Sequence, residues 1–481
     1  MPTTNCATGT LTPFVPSAER PWDKFRIMHL YRRMAFGATP MQVEAALALD
    51  PAELVDQLVD EAINLPLTPE PVWSNWNISD YDDFFPQRQE QYVQWVVQWF
   101  NDMLANGFRE KLALFWHNHF VTRFEAYDCP SYLYKYHKLL QEYALGNFRM
   151  FTERMGTTPA MLYFLNGVQS TNLSPNENYA RELYELFTLG QDNGYTQQDI
   201  AETARALTGW VGTFTFCGPV GFVPERHDDG VKTIFGQTGN WGFPEVHDIL
   251  FEQRADEVAT FICSKIYRHF VHPNANEAVV AELATIFKDN NFELAPVFRA
   301  LFKSDHFFDD YVIGTEVKSP TDFLINLVRE SGMSYTDEVL EVLTYYTFIL
   351  GQELFSPVDV AGWTGNRTWI NSNTLTGRWQ AAEYYIGSIF QSFPNDLVGL
   401  AVDLSGNSND PALVTREIID HFIPNGLNDP MAYARATDVF KWEVPQNYYD
   451  DGSWNLGWNT VPAQVGLLLL HIVRLPEIQL M

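Results

Sequence analysis

Five short segments of one chemical type constrain the fold most. Thr39-Pro40-Met41-Gln42 sets a hydroxyl before a proline, with a glutamine three residues after the hydroxyl. Proline has no N–H to lose at the first helical position, and a side-chain oxygen before it accepts an amide that would otherwise go unpaired. Asp50-Pro51-Ala52-Glu53, Ser174-Pro175-Asn176-Glu177 and Ser319-Pro320-Thr321-Asp322 repeat the logic, and Thr196-Gln197-Gln198-Asp199 does so without the proline. Such starts suit helices and predict a mainly α protein.

Apolar spacing between these starts predicts helices near 22–36, 40–61, 87–106, 109–122, 130–145, 176–189, 196–208 and 254–271. More follow near 276–289, 293–303, 319–331, 337–349, 373–390, 411–422 and 461–473. No strong alternating run marks a large sheet, and the expected strand content stops at small hairpins, one of them near 211–223. Gly-, Trp-, Asn- and Pro-rich stretches at 62–86, 210–244, 351–372 and 439–460 read as long ordered loops, because their aromatics argue against disorder. The expected architecture is a multi-helix, orthogonal or bundle-like core, with 109–122 and 176–189 packed together at its centre.

With 481 residues the chain exceeds one average core. The expected division is an N-terminal helical segment (1–61), a central core (62–210), a second helical layer (211–331) and a C-terminal region (332–481). Acids outnumber bases 60 to 31, for a formal charge of -29, and no basic run interrupts the pattern. Such a polyanion repels nucleic-acid phosphate and anionic lipid, so neither is an expected partner. The acidity suits solubility, or affinity for cations. The apolar run from Val465 is too short to span a membrane. The first 20 residues lack a basic n-region and an apolar h-region, so no signal peptide is expected in this chain. Cys6, Cys129, Cys217 and Cys263 lack metal-type spacing and leave the redox compartment open.

Chemistry concentrates in four segments. In 109–122, His117 and His119 lie in a stretch apolar nearly all round, so both are expected among apolar groups and in need of partners. Two residues apart, they diverge by ~160° and do not share one metal. Either both are hydrogen-bonded core histidines, or one is a ligand or proton shuttle. In 176–190, Glu182 projects beside the apolar stripe of Tyr179, Leu183, Leu186 and Phe187, with Glu185 and Asn178 along the same edge. An oxygen-rich edge suits a hard cation; the alternative is that Glu182 pairs with Arg205, Arg32 or Arg33. Third, His227-Asp228 opens a polar loop, with His247-Asp248 a second such pair, and adjacent His and Asp can transfer protons. Fourth, Trp363 and Trp369 with Asn366, Arg367 and Asn371 read as a stacking and hydrogen-bonding surface for a sugar, or as a loop sealing the core. No G-x-S-x-G elbow, H-E-x-x-H or dinucleotide fingerprint is present.

Taken in order, 29–40, Phe115–Phe120, Asn176–Gly190, Ala204–Trp210, His227–Lys232, Lys265–Arg268 and Gly362–Arg378 resemble the bacterial family catalogued as domain of unknown function 1800. The resemblance covers nearly the whole chain. It implies a protein commonly exported, often encoded beside a second, sulfatase-like family that could supply a partner. It implies no catalytic residue, since the family's activity is uncharacterised.

The residues themselves lead to an expectation of an extracytoplasmic, metal-dependent hydrolytic enzyme. A divalent ion would be held by His117 or His119 with Glu182 and Glu185, and His227 and Asp228 would serve as acid and base. Trp363, Asn366, Trp369 and Asn371 would bind the substrate, polymeric or glycan. The rivals are a non-enzymatic scaffold and a glycan-binding protein; a concave cleft lined by tryptophan favours the last.

Overall fold

The computed structural model describes residues 10–213 and 215–481; Cys6, and Phe214 within the expected hairpin, lie outside the described residues. Among the described residues the protein has 23 α-helices and only two small antiparallel hairpins, so it is mainly α. Trp210–Val211 pairs with Gly221–Phe222, overlapping the expected hairpin 211–223 and starting one residue before it, and Lys232–Ile234 pairs with Gln237–Gly239 in a stretch read as loop.

Four of the five predicted starts cap helices. Thr39, Thr196 and Ser319 close capping boxes with Gln42, Asp199 and Asp322, and Asp50 accepts from the amides of Ala52 and Glu53. The cap at Asp50 divides the expected helix 40–61 into Pro40–Ala46 and Pro51–Asn64. The fifth start is a correction. Ser174 bridges back to Thr171, and the helix begins later, at Asn178. That helix ends at Glu182 and continues as a π turn, Leu183–Thr188. In a π turn each bond spans five residues, so the side chains fall behind the 100° phase of an α-helix. Tyr184 and Thr188 therefore take buried positions, while Leu186 is half-buried.

Helix Phe108–His119 is the central element. Every residue in it except Asn118 is buried. It packs against Lys24–Ala35, Pro51–Asn64, Phe84–Asn106 and Pro130–Glu142, which buries it on nearly every face, the charged Arg109, Glu110 and Lys111 included. It meets the π turn at its C-terminal end, where His119 Nε2 bonds Phe187 O at 3.1 Å and the Phe120 and Phe187 rings touch. A second group, Ser372–Ser392, Pro394–Ser405, Pro411–Phe422 and Pro430–Phe440, surrounds the apolar helix Val461–Ile472. No helix among the described residues is long and apolar enough to cross a membrane.

Candidate functional site

The C-terminal end of the central helix meets the Trp-rich loop. Asn118, its one residue not fully buried, accepts from Trp363 N through Oδ1 at 2.7 Å and donates Nδ2–H to Trp363 O at 3.3 Å. One amide thus pairs with both backbone groups of Trp363 and fixes the loop. Gly362 allows this approach: its φ is +83°, and a Cβ there would overlap the Asn118 side chain and carbonyl. Further along, Thr374 Oγ1 donates to Trp369 O at 2.9 Å, and Asn371 caps helix Ser372–Ser392 by accepting from Asn373 N and Thr374 N.

Behind this loop lies a cavity of about 310 Å³, within the usual size range of small-ligand sites. Trp363, Asn366 and Trp369 line one wall. Lys111, Leu114 and Asn118 supply a second, spaced i, i+3, i+7 along one stripe of the central helix. Arg268 and His269 come from the end of helix Ala255–Phe270, and Glu316, Asp322 and Gln352 complete the polar floor. Four of the segments singled out in the sequence thus have residues in or beside one cavity: 109–122, 265–268, 319–322 and 362–378.

The floor is an electrostatic arrangement held out of water. Lys111 Nζ bonds Asp322 Oδ1, and both side chains are buried. Burial works to raise the Asp322 pKa, but the Lys111 ammonium and the Ser319 hydroxyl, 2.8 Å from Oδ2, outweigh it and hold the carboxyl below its usual range. Burial lowers Lys111 despite that partner. His269 is pushed down to about 3 by burial, then by Lys111, and is neutral. Burial raises the Glu316 carboxyl, with Asp322 repelling it and Arg33 partly compensating. Glu316 Oε1 and Trp363 Nε1 are buried with no hydrogen-bond partner. Gln352 Oε1 is engaged by Thr321 N at 2.9 Å.

The other expected site residues lie elsewhere. His117 Nε2 accepts from Phe355 N at 3.0 Å, so Nδ1 carries the proton and donates to Tyr136 Oη at 2.7 Å. Tyr136 in turn donates to Phe120 O at 2.8 Å. That chain uses both ring nitrogens, and burial lowers the His117 pKa to about 3. His119 donates to Phe187 O, and its Nδ1 is buried and unpartnered. Glu182 is half-buried and pairs with none of the expected arginines: Arg205 holds Glu202 and Asp228, and Arg32 holds Glu330. Burial, then repulsion by Glu185, raises its pKa. Glu185 sits 3.4 Å from Arg181. Among the described residues no three His, Cys, Asp or Glu side chains converge as metal ligands, so His117, His119, Glu182 and Glu185 form no such set.

His227 and Asp228 are fastened to helix Gln197–Ala206 and its C-terminal turn. His227 Nδ1 bonds Thr208 O at 3.0 Å, and Asp228 forms a two-point pair with Arg205. That guanidinium holds the Asp228 carboxyl below its usual range. Neither residue lines the Trp cavity, and Asn371 acts as a helix cap rather than a lining residue. Trp363, Asn366 and Trp369 line the one cavity together. Lys111, Asn118, His269, Glu316, Asp322 and Gln352 were not singled out, although the Lys111–Leu114–Asn118 spacing and the Ser319–Asp322 cap were legible.

No curated protein and no solved structure matches the chain at significant similarity. The model of the family described as protein of unknown function (DUF1800) matches residues 29–480, nearly the whole chain, and the chain belongs to that family.

Proposed function

We propose that this protein binds a sugar or similarly polyhydroxylated ligand in the cavity walled by Trp363 and Trp369. One observation carries the reading: two tryptophans share a small cavity with polar groups that have no protein partner. Buried polar atoms are ordinarily paired, and leaving one unpaired costs about 1–3 kcal/mol. Glu316 Oε1 lacks a donor and Trp363 Nε1 lacks an acceptor, and the neutral His269 imidazole lines the same cavity. A ligand with hydroxyls on its edge and C–H groups on its face supplies both donors and acceptors, and its apolar face suits an indole wall.

The metal-dependent hydrolase reading has no converging ligand set among the described residues to support it. The binding reading takes its place. We place the protein in an oxidising, extracytoplasmic compartment, and the Cys129–Cys217 disulfide supports that assignment. The test is saturation-transfer NMR of the full chain against a panel of mono- and oligosaccharides, repeated on Trp369→Ala and Glu316→Gln. Transfer to sugar ring protons that is lost in both variants, with melting temperatures retained, is the expected result. No transfer to any saccharide, or transfer unchanged by both substitutions, overturns the reading.

A further inference from the structure

A second cavity, of about 530 Å³, shares no lining residue with the tryptophan cavity. It lies where helices Lys24–Ala35, Pro40–Ala46 and Pro51–Asn64 meet the junction between Phe84–Asn106 and the central helix. Its room comes from small side chains. Ala35, Ala45, Ala46, Ala62, Ala105 and Gly107 stand where larger residues would fill the space, and leucines from the helix Pro51–Asn64 and its flanks complete an apolar wall. A mostly apolar recess of this size with a few polar groups is the usual form of a small-molecule site.

Two of its polar groups carry opposite charges and do not meet. Glu61 makes neither an ion pair nor a hydrogen bond among the described residues. Arg329 reaches the cavity from helix Pro320–Ser331. Its Nη1–H goes to the neutral Leu104 O at 2.8 Å, and no carboxylate pairs with the guanidinium among the described residues. Nη2 stands beside the lining residue Gly107, where a Cβ would lie 3.7 Å from it, so no side chain covers the guanidinium from that side. Tyr31 lines the same cavity, and its hydroxyl makes no hydrogen bond among the described residues. It registers both charges: burial, then Glu61, raises its pKa, and Arg329 draws it down.

The cavity thus offers one cation, one anion and a hydroxyl around a hydrocarbon wall. A simple anion would satisfy Arg329 and be repelled by Glu61, and a simple cation would do the reverse. A ligand that answers both carries the two charges on one short frame. We propose that this cavity binds a free apolar α-amino acid. Its carboxylate lies on Arg329 and the Tyr31 hydroxyl, its ammonium on Glu61, and its side chain against the alanines and leucines. A guanidinium suits a carboxylate because its planar fork can bond both oxygens, and an ammonium is matched by a single carboxylate. This site stands independently of the saccharide reading.

The experiment is calorimetric titration of the full chain with leucine, methionine and phenylalanine. The controls are isocaproate, which is leucine without its ammonium, isoamylamine, which is leucine without its carboxylate, and aspartate, which lacks the hydrocarbon. Wild type is compared with Glu61→Gln, Arg329→Gln, Ala105→Leu and Trp369→Ala, with melting temperatures as the folding control. Glu61 and Ala105 are exposed, so their substitution leaves the core intact. Expected is binding of at least one apolar amino acid at least tenfold tighter than any of the three controls. It falls roughly tenfold in Glu61→Gln and in Arg329→Gln, is blocked in Ala105→Leu, and is unchanged in Trp369→Ala, which alters only the other cavity. Isocaproate or isoamylamine binding as tightly as leucine, or no change in Glu61→Gln, overturns the two-charge assignment. Aspartate binding as tightly as leucine overturns the role of the apolar wall. Binding unchanged in Ala105→Leu, or lost in Trp369→Ala, places the amino acid elsewhere and overturns the site. No binding of any amino acid overturns the proposal and leaves the saccharide reading untouched.

Discussion

The Lys111–Asp322 pair is where the site and the stability of the fold are most directly linked. Its side chains are 2% and 5% exposed, so water screens the pair little. Replacing Lys111 by Met keeps much of the side chain's volume but leaves the Asp322 carboxylate buried with Ser319 as its remaining donor. Removing one partner of a buried ion pair costs about 3–5 kcal/mol. Asp322→Ala removes the charge and also the capping-box acceptor of helix Pro320–Ser331, a further loss of about 1 kcal/mol. Asp322→Asn in the Lys111→Met background removes both charges and recovers most of the loss. The assay is urea unfolding followed by intrinsic fluorescence, as a double-mutant cycle. The pH dependence gives an independent check on sign. In the wild type the Asp322 pKa lies below its unfolded value, so its stabilisation is present above the ordinary carboxylate range and is lost as pH falls through the folded value. In Lys111→Met burial dominates and raises that pKa, so the native state takes up the proton first. The stability gap between variant and wild type therefore narrows as pH is lowered from about 7 to about 4. Single substitutions costing under about 1 kcal/mol, or a gap that widens at low pH, would refute the buried-pair argument.

Three further outcomes are expected. Asn118→Ala, which removes both bonds to Trp363, should cost about 1–3 kcal/mol and abolish saccharide binding, whereas Asn118→Asp, which keeps the Oδ1 acceptor, should retain part of each; binding unchanged in Asn118→Ala would show that the loop is held otherwise. Burial lowers His117 to about 3 and His247 to about 4, below the unfolded 6.5, so the unfolded state binds more protons between these values; the two rings' contribution to stability is full above about pH 6.5 and between them falls by roughly 2.7 kcal/mol per pH unit towards pH 4, so substituting both by Gln should flatten the acid limb by that much, and an unchanged limb would exclude neutral burial of the two rings. Reducing Cys129–Cys217, which closes an 88-residue separation, should remove about 4–5 kcal/mol by chain entropy, read as a fall in melting temperature with dithiothreitol that Cys217→Ser reproduces without reductant.

The helical class was legible because caps act locally. Thr39, Asp50, Thr196 and Ser319 each satisfy an amide two or three residues on, whatever the rest of the chain does. Ser174 carries the same letters but pairs with Thr171, since a cap forms only where the chain after it is free to turn helical. Helices such as Phe148–Gly156, Phe243–Gln253 and Pro394–Ser405 were passed over, and the two α/π segments from Asn178 to Thr188 were read as one regular helix. The π turn shifts the phase of the residues after Glu182, Glu185, Leu186 and Leu189 among them, against which its edge was drawn. A projection at 100° per residue held up to Glu182 and failed beyond it.

The site was half legible for a related reason. Histidine and glutamate drew attention as titratable groups in apolar sequence, yet that setting fits two different duties. His117 closes a chain from Phe355 N through Tyr136 to Phe120 O, and nothing in its neighbours along the sequence reports those partners, which come from 19 and 238 residues away. The tryptophan loop was recognised because Trp363, Asn366 and Trp369 lie within one short turn-rich segment. What it closes over was not recognised, since Lys111, His269, Glu316 and Asp322 come from separate elements and meet only in three dimensions. The stripe Lys111–Leu114–Asn118 was the available clue. A buried lysine and a half-buried asparagine on one face of the helix point to something polar beside that face. Asn118 stands one residue from each of the two histidines that were chosen, and the difference is the direction of its side chain. The histidines point into packed rings, and the amide points at the loop that forms the wall of the cavity.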